Sequence, residues 1–333
     1  MNCIGCYKKI DKNEYCLSCR KKLFGGKRVP TVLDFDKPKA ENISLYNEYT
    51  KRLSISGVQL KYSLMLVGNK LELSEKNGQY ILKPIPTADH LVSMDDAPEN
   101  EHLTMQIASQ IFNIKTAHNT LIYFKDGTPA YITKRFDVKG DGTKYIQEDF
   151  AQITNRTKET HGASYKYDGS YLEIGALIKK YVPAAMVAVE NFFKIVLFNY
   201  IFSNGDAHLK NFSLIESSDG DLIMSPAYDL VCTRIHVNDS YMALKDGLTE
   251  DSLNHPSFLV LGYFGYDDFF DFGLQLGLKD SRISKIIDQM RTENNNVYVL
   301  IAHSYLDNET KLEYTTLYKD KLVRLNTSFE KRI

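Results

Sequence analysis

The segment from Asn204 to Asp229 constrains the fold of this chain more than any other part of the sequence. It begins where a long apolar stretch with helical spacing ends, and its first residues form a polar loop. That loop contains Asp206, His208, Lys210 and Asn211. Two short apolar runs separated by a Ser-Asp-Gly turn follow, and this pattern predicts a β-hairpin. The sequence therefore predicts a buried helix, a polar loop and a hairpin in direct succession, with Asp229 just after the second strand.

The residue types in this segment suit phosphoryl transfer. Asp206 and Asn211 are five positions apart, as are the Asp and Asn of the protein-kinase loop His-Arg-Asp-x-x-x-x-Asn. Because such chemistry depends on positioning and charge neutralisation, we predict that Asp206 orients the acceptor hydroxyl. Asn211 and Asp229 offer the oxygen ligands that Mg²⁺ prefers. His208 and Lys210 are predicted donors to the transferring phosphate. The alternative is a polar loop of ordinary turn residues.

The motif Asn-x-Asp-x-His-x-Lys-Asn, followed by Ala-Tyr-Asp-Leu, resembles the HipA-like serine/threonine kinases, the toxins of bacterial toxin–antitoxin pairs. Further segments similar to that family are 54–64, 80–84, 100–101, 134–137 and 147–150. The resemblance implies an α+β, two-lobed protein-kinase-like fold with a small β-rich N-lobe and a mostly helical C-lobe. It also implies a serine/threonine protein kinase that uses ATP and Mg²⁺.

The order of short apolar runs between residues 50 and 137 matches that of a kinase N-lobe. We predict strands at 63–67, 70–73, 80–83, 120–124 and 130–135, and a helix over 99–112. Lys83 is predicted to contact the α- and β-phosphates of ATP, with Glu101 as its ion-pair partner. A solvent-facing lysine at a strand end, and a glutamate that only interacts with the helix dipole, are the alternatives.

The loop over residues 54–61 is predicted to cover the phosphates. Its predicted nucleotide contacts are Ser54, Ser56, Gly57, Val58 and Gln59. The loop has one glycine, whereas kinases have Gly-x-Gly-x-x-Gly. The resemblance implies an autophosphorylated serine here, and Ser54 and Ser56 both qualify by position. Because each phosphate adds about −1.5 to −2 charges, phosphorylation is expected to lower ATP binding or to eject the loop. The alternative is a hydroxyl-rich turn without regulatory meaning.

Two other segments have roles that only the resemblance supplies. It implies that Lys134 and Phe136, between the lobes, meet the adenine of the nucleotide. The run Gln147-Glu148-Asp149 is similar to a family signature, although it also fits a helix-capping cluster.

Helical spacing dominates the rest of the chain. We predict helices over 172–181, 184–203, 258–276 and 281–290, and further helix within 297–328. The predicted core face of the second is Val187, Phe192, Ile195, Val196, Phe198 and Ile201. Residues 161–169, rich in Gly, Ser and Tyr, are predicted to form a mobile loop near the substrate. The predicted division is a cysteine module with a basic linker at 1–27, an N-lobe at 28–137 and a C-lobe at 138–333.

Four cysteines stand at the N-terminus. Cys3, Cys6, Cys16 and Cys19 form two Cys-x2-Cys pairs, and four thiolates suit a tetrahedral structural zinc site. Disulfides, which the cytosol disfavours, and free cysteines in a disordered tail are the alternatives. A basic run at 20–28 follows, and it fits a solvated linker or a contact with DNA or an acidic partner.

Charge and hydropathy restrict the location and the partners. The net charge of −1 argues against nucleic-acid binding by overall charge. The start of the chain has no secretory signal, and the apolar run at 192–202 is too short to span a bilayer. We therefore expect a cytoplasmic protein without a membrane partner.

The resemblance also implies partners and a target. Only about fifty residues precede the serine loop, as in the short HipT-type toxins of tripartite HipBST systems. The implied partners are a small antitoxin subunit that supplies the missing N-terminal subdomain and a helix-turn-helix antitoxin that binds operator DNA. The implied substrate is an aminoacyl-tRNA synthetase, whose phosphorylation halts translation. A small-molecule or lipid kinase with an Asp-x-His-x-x-Asn site, and a non-catalytic scaffold of kinase fold, are the alternatives.

Overall fold

The computed structural model describes residues 1–12, 14–39, 60–86 and 92–330. Within these ranges the N-terminal half contains a five-stranded antiparallel sheet with the order β2-β1-β3-β5-β4. Its strands are β1 (Tyr62–Val67), β2 (Lys70–Leu73), β3 (Tyr80–Pro84), β4 (Asn119–Tyr123) and β5 (Pro129–Lys134). All five lie within one or two residues of the predicted strands. Gly68, with φ of 61°, provides the left-handed position in the tight turn between β1 and β2.

The cysteine segment packs on this sheet instead of extending from it. Helix α1 (Leu17–Phe24) ends at Gly25, which has left-handed φ of 62°. Leu23 and Phe24 are buried with sheet residues, and the Tyr80 hydroxyl donates to the Leu23 carbonyl over 2.7 Å. The prediction of a solvated linker at 20–28 is therefore wrong for its first half, because apolar side chains fix that half against the sheet.

One helix crosses the sheet. Helix α2 (Ala97–Gln110) packs against β4 and β5, and it begins two residues before the predicted start because Pro98 suits the first helical turn. Almost every side chain of α2 is buried, including the polar Asn100, Glu101 and His102. Such burial requires partners for these groups, and Asn100 donates to the Cys232 carbonyl over 2.9 Å.

The C-terminal half is mostly helical. Its helices are α3 (Phe150–Ile153), α4 (Lys158–His161), α5 (Tyr171–Tyr181), α6 (Ala185–Ile201), α7 (Pro256–Leu261), α8 (Tyr266–Gln275), α9 (Asp280–Arg291), α10 (Asn295–His303) and α11 (Asn308–Leu325). A small antiparallel sheet in the described residues joins β6 (Gln147–Asp149), β7 (Ser213–Glu216) and β8 (Leu222–Met224) in that order. The predicted hairpin is thus present as β7 and β8.

Helix α6 forms the centre of the large hydrophobic core and leads into the polar loop. Phe192, Ile195, Val196, Phe198 and Ile201 are buried as predicted. Val187 is 66% exposed, so its assignment to the core is wrong. It lies one helical turn before Asn191, which is also exposed, and the two share the solvent-facing side of α6.

One further prediction is wrong in detail, and one segment that was expected to be a loop contains a helical turn. The single helix expected over 258–276 is interrupted, because Gly262 has φ of 71° and ends α7 before α8 begins. Residues 161–169, expected to form a mobile loop, contain a helical turn at Tyr165–Tyr167 whose first two side chains are buried. Tyr165 and Lys166 therefore hold this segment against the core.

Among the described residues, no helix is long and apolar enough to cross a bilayer.

Candidate active site

A buried ion cluster joins β3, α2 and the segment after β8. The Lys83 ammonium donates to Glu101 Oε1 and to Asp229 Oδ1, each over 2.6 Å. Lys61 donates to the other oxygen of Asp229 over 3.3 Å. Lys83 and Glu101 are each 4% exposed, whereas the Asp229 side chain is 27% exposed. Both carboxylate oxygens of Asp229 are thus engaged by lysines at the open side of the cluster.

Local backbone geometry directs Asp229 into this cluster. Its φ is 55°, in the left-handed region that residues other than glycine seldom adopt. The Asn204 amide donates to the Asp229 carbonyl over 3.3 Å and so ties the segment to the polar loop. Two residues earlier, the Ala227 carbonyl accepts from the backbone of Ala117 over 2.9 Å. These bonds hold the unusual conformation from both sides.

The charges in the cluster stabilise one another. Burial alone would lower the pKa of Lys83, but Asp229 and Glu101 raise it above its ordinary value. Burial likewise opposes ionisation of Asp229, but Lys61 and Lys83 lower its pKa below the ordinary range. Lys83 and Asp229 are consequently both charged at neutral pH.

The polar loop, which the Asn204 amide ties to Asp229, presents Asp206 to solvent. The Asp206 side chain is 45% exposed, and its Oδ1 accepts from the Tyr167 hydroxyl over 2.6 Å. The Asp206 backbone N–H donates to Asn204 Oδ1 over 3.2 Å. Asn211 Oδ1 accepts from the His208 backbone N–H over 3.1 Å, which closes the loop on itself. The loop is therefore rigid at its base, while the carboxylate faces solvent.

Lys166 is a buried cation beside Asp206. Its side chain is 6% exposed, and its Nζ lies 3.7 Å from Asp206 Oδ1 and 4.7 Å from the centre of the Tyr167 ring. The Nζ atom has no hydrogen-bond partner among the described residues. Burial lowers the pKa of Lys166. Neither Lys166 nor Tyr167 was predicted as a site residue.

The two residues of the loop that were predicted to donate to the phosphate, His208 and Lys210, differ in charge and in their present partners. His208 is 7% exposed, and burial lowers its pKa to about 4, so its imidazole is neutral at physiological pH. Its Nε2 lies 3.8 Å from Asp206 Oδ1. The Lys210 ammonium donates to Asp149 Oδ2 over 3.0 Å, so this predicted phosphate donor already has a carboxylate partner.

The segment Gln147–Asp149 caps a helix, as one of the two interpretations of its sequence expected, and it also forms a strand. It forms β6, which pairs with β7 of the hairpin, and the Gln147 amide donates to the Ser213 hydroxyl over 3.0 Å. Asp149 also caps α3, since its Oδ1 accepts from the Gln152 backbone over 2.9 Å. The segment thus anchors both the hairpin and the Lys210 side of the loop.

The predicted nucleotide-contacting residues are only partly described. Phe136 is half-buried, with its ring centre 5.7 Å from that of Tyr228, next to Asp229. The Lys134 backbone N–H donates to the His118 carbonyl over 2.7 Å. The predicted loop residues Ser54, Ser56, Gly57, Val58 and Gln59 lie outside the described residues.

The four N-terminal cysteines converge on one point. Their sulfur atoms all lie within 4.8 Å of one another, and all four thiols are free. Cys3 and Cys19 are 3.8 Å apart, and Cys6 and Cys16 are 3.7 Å apart. Sulfur ligands at about 2.3 Å from a tetrahedral Zn²⁺ stand about 3.8 Å from one another. The donor set and its spacing therefore fit a structural zinc ion.

Comparisons with protein families and curated proteins agree with this geometry. The sequence model of the HipA-like C-terminal domain matches residues 53–297. A Haemophilus influenzae protein named "Putative kinase" is 25% identical over 307 residues, which cover 86% of this chain and 85% of that protein. Two Sinorhizobium fredii proteins bear the same description. One is 32% identical over 198 residues (55% of this chain, 45% of that protein), and the other 26% over 286 residues (83% and 64%).

Solved structures confirm the kinase-like fold. A chain from the Shewanella oneidensis complex of HipA, HipB and operator DNA superposes with a TM-score of 0.61 at 20% identity, covering 87% of this chain and 71% of that one. The Helicobacter pylori proinflammatory kinase CtkA superposes with a TM-score of 0.50 at 14% identity, covering 80% and 90%. The predicted α+β architecture of kinase type is therefore correct.

Proposed function

This chain belongs to the HipA-like family, and on that basis we propose that it is an ATP- and Mg²⁺-dependent serine/threonine protein kinase that acts as the toxin of a toxin–antitoxin system. The observation that carries the proposal is the meeting of Lys83, Glu101 and Asp229 in one ion cluster beside the loop of Asp206 and Asn211. A lysine on a strand, a glutamate on the adjacent helix and an aspartate after a hairpin are the parts that kinases use to hold nucleotide phosphates.

The proposed role of the ion cluster is an exchange of partners. Lys83 and Lys61 neutralise Asp229 in the present arrangement. When phosphate oxygens compete for these lysines, Asp229 is released to serve with Asn211 as an oxygen ligand. Mg²⁺ held there would neutralise charge on the phosphates. Glu101 stays paired with Lys83 throughout and keeps its ammonium directed at the cleft.

Asp206 is the proposed group for the acceptor hydroxyl. The Asp206 side chain is 45% exposed, and its Oδ2 can accept a hydrogen bond from a serine or threonine hydroxyl because the Tyr167 hydroxyl bonds to Oδ1. As the new O–P bond forms and the bond to the leaving diphosphate breaks, Asp206 takes the hydroxyl proton. Lys166 lies where its ammonium can neutralise the transferring phosphoryl group. Tyr167 fixes the carboxylate in position during this step.

The target and partners are proposed from the resemblance. We propose a HipT-type toxin that phosphorylates an aminoacyl-tRNA synthetase, modifies itself at Ser54 or Ser56, and associates with a small antitoxin subunit and a DNA-binding antitoxin. The similarity to a HipA chain that was solved with HipB and operator DNA supports the antitoxin partner. The division into a module at 1–27, an N-lobe at 28–137 and a C-lobe at 138–333 is proposed on the same grounds.

The decisive experiment is mass spectrometry of the wild type and of Asp206→Asn after incubation with ATP and Mg²⁺. We expect phosphate on a serine of the wild type alone, together with growth arrest that the variant does not cause. Thermal melting of both proteins checks that the variant is folded. ATP binding without any protein phosphorylation would contradict the proposal and favour a small-molecule kinase.

We also propose that Cys3, Cys6, Cys16 and Cys19 bind one structural Zn²⁺. Elemental analysis of the purified protein is expected to give one zinc per chain, and a chelator is expected to lower the melting temperature. The double variant Cys6→Ser/Cys16→Ser should lose the metal. Cys232→Ser is the matched control, because Cys232 is buried in the large core away from the other four. Zinc-free protein that a chelator leaves unchanged would refute the site.

A further inference from the structure

A polar cleft lies between the cysteine module, helix α2 and the start of β4. The module contributes Lys8 and Lys22, α2 contributes Gln106, Ser109 and Gln110, and the floor is formed by residues 116–119. The cleft is open on one side, and the space inside it that a water-sized molecule can occupy measures about 190 Å³. This volume is well above what a single water molecule requires, and it admits a small ligand. The proposed kinase reaction uses none of these residues.

Lysines carry the charge of the side chains that open onto this cleft. Lys8, Lys22 and His118 line it together with Cys6 and Cys19 of the proposed zinc site, and no aspartate or glutamate occurs among the described lining residues. Partial desolvation of the His118 ring, followed by the charges of Lys22, Lys115 and Lys134, lowers its pKa. Three lysines therefore act on this floor, and hydroxyl and amide groups stand beside them. Such a lining favours an anion over a cation or an apolar ligand.

Hydrogen bonds connect the walls of the cleft to one another. Gln110 donates to the Cys6 carbonyl over 3.3 Å and to Gln106 Oε1 over 2.8 Å. Gln106 in turn donates to Asn119 Oδ1 over 3.0 Å. A ligand that contacts the module and the amides of α2 would therefore restrain three elements at once.

Two of these elements are connected to the ion cluster of the candidate active site. Helix α2 carries Glu101 two turns before its cleft-lining end. The floor pairs with the segment before Asp229: Ala117 N–H donates to the Ala227 carbonyl over 2.9 Å, and Ala227 N–H donates to the Lys115 carbonyl over 2.8 Å. Helix α2 and the paired segments 115–117 and 227–229 therefore connect the polar cleft with the ion cluster.

We propose that this cleft is a regulatory site for a small ligand that bears two or more phosphate or carboxylate groups. Lys8 and Lys22 bind its charges, and the amide side chains of α2 bind its remaining polar atoms. The bound ligand restrains α2 and the 227–229 segment, and so fixes Glu101 and Asp229 relative to each other. Binding at this site does not depend on the proposed kinase activity.

Calorimetric titration with inorganic pyrophosphate, and separately with citrate, tests the binding. The test variant is Lys8→Gln/Lys22→Gln. Its matched control is Lys9→Gln/Lys21→Gln, which removes the same charge from exposed lysines of the same module that do not line the cleft. We expect the wild type and the control to bind at least one probe with equal affinity, and the test variant to bind it about tenfold more weakly or worse.

The two probes separate the phosphate from the carboxylate source. Binding that is the same in both variants, or absent with both probes, would overturn the site. Pyrophosphate that binds in the proposed nucleotide cleft contributes equally to all three proteins, so the difference between the variants isolates the polar cleft.

Hydrogen exchange with the bound probe tests the connection to the ion cluster. We expect slower exchange at residues 99–103 of α2 and at 227–230, as well as at the cleft itself. Protection confined to residues 5–23 and 106–119 would refute the regulatory role. Neither measurement includes ATP or an acceptor protein, so failure here is distinguishable from failure of the proposed kinase function.

Discussion

Lys83 and Lys166 are both buried lysines beside an aspartate of the candidate active site, yet their surroundings differ. Lys83 has two carboxylate partners at 2.6 Å, and these raise its pKa. Lys166 has its nearest carboxylate oxygen at 3.7 Å and no hydrogen-bond partner in the described part of the chain, and burial lowers its pKa. The comparison separates an ion cluster with short hydrogen bonds from a lysine whose one carboxylate partner lies beyond hydrogen-bond distance.

The physical consequence is that the two lysines contribute to different properties. A buried ion pair becomes strongly destabilising when one member is removed, because the other charge stays uncompensated. A buried ammonium without hydrogen bonds already carries its desolvation cost in the folded state. We infer that Lys83 matters for folding and for nucleotide binding, whereas Lys166 reduces stability and becomes satisfied only when an anionic group arrives.

Lys83→Met gives the largest expected effect. It leaves Glu101 without a cation at a position that is 4% exposed. We expect the free energy of unfolding to fall by about 3–5 kcal/mol and phosphoryl transfer to be lost. Denaturant titration followed by circular dichroism measures the first, and the phosphorylation assay measures the second. A variant as stable as the wild type would show that the cluster does not support the fold.

Lys166→Met is the matched substitution at the lysine that forms no hydrogen bond among the described residues. It removes a buried charge and keeps the apolar stem, so we expect unchanged or higher stability in the same titration. Phosphoryl transfer should fall by about 10²-fold or more, as on loss of a group that stabilises developing negative charge. ATP affinity should stay near that of the wild type. A loss of stability equal to that of Lys83→Met would remove the distinction between the two lysines.

The sequence predicted one of these lysines and missed the other for a physical reason. Lys83, Asp206, Asn211 and Asp229 occur at spacings and strand or loop positions that phosphoryl-transfer chemistry requires. Lys166 lies forty residues before Asp206 in a stretch without helical or strand periodicity. Only the packing of its helical turn against the polar loop brings the two together, and no local pattern encodes that packing.

The fold shows the same limit. Strands β1 to β5 follow from alternating runs and turn residues, which are local signals. The docking of the cysteine module depends instead on contacts far apart in the chain, such as the Tyr15 hydroxyl to the Leu121 carbonyl at 2.9 Å. The break between α7 and α8 was missed because apolar spacing continues across Gly262. In the structure this glycine is the left-handed C-cap of α7, and its N–H donates to the Phe258 carbonyl.

Glu99 is a buried carboxyl group that, like the ammonium of Lys166, has an atom without a hydrogen-bond partner among the described residues. It lies two residues before Glu101 on α2, is 5% exposed, and its Oε2 has no hydrogen-bond partner within the described residues. Burial raises its pKa to about 8. The folded protein therefore holds this proton more tightly than the unfolded chain, whose glutamate has an ordinary pKa of about 4.3.

We expect the contribution of Glu99 to stability to be complete at low pH and to be lost as the pH rises from about 5 to about 8. Glu99→Gln keeps the neutral shape, so the free energy of unfolding of the variant should exceed that of the wild type increasingly across this window. Because other groups titrate in both proteins, the difference between their two curves isolates Glu99. A difference that does not vary with pH would show that the carboxyl group finds a partner when it ionises.

Tyr167→Phe gives the smallest expected effect, and it tests how Tyr167 and Lys166 together position Asp206. The substitution removes the 2.6 Å bond to Asp206 and keeps the ring under the Lys166 ammonium. One hydrogen bond to a charged group is worth about 1.5–3 kcal/mol before solvent screening, and Asp206 is 45% exposed. We therefore expect only about a tenfold loss in the rate of phosphoryl transfer, with the free energy of unfolding unchanged.

In the double variant Tyr167→Phe/Lys166→Met, the loss of rate should be less than the product of the two single losses, because both side chains act on the same carboxylate. Fully multiplicative losses would mean that Tyr167 orients Asp206 independently of Lys166.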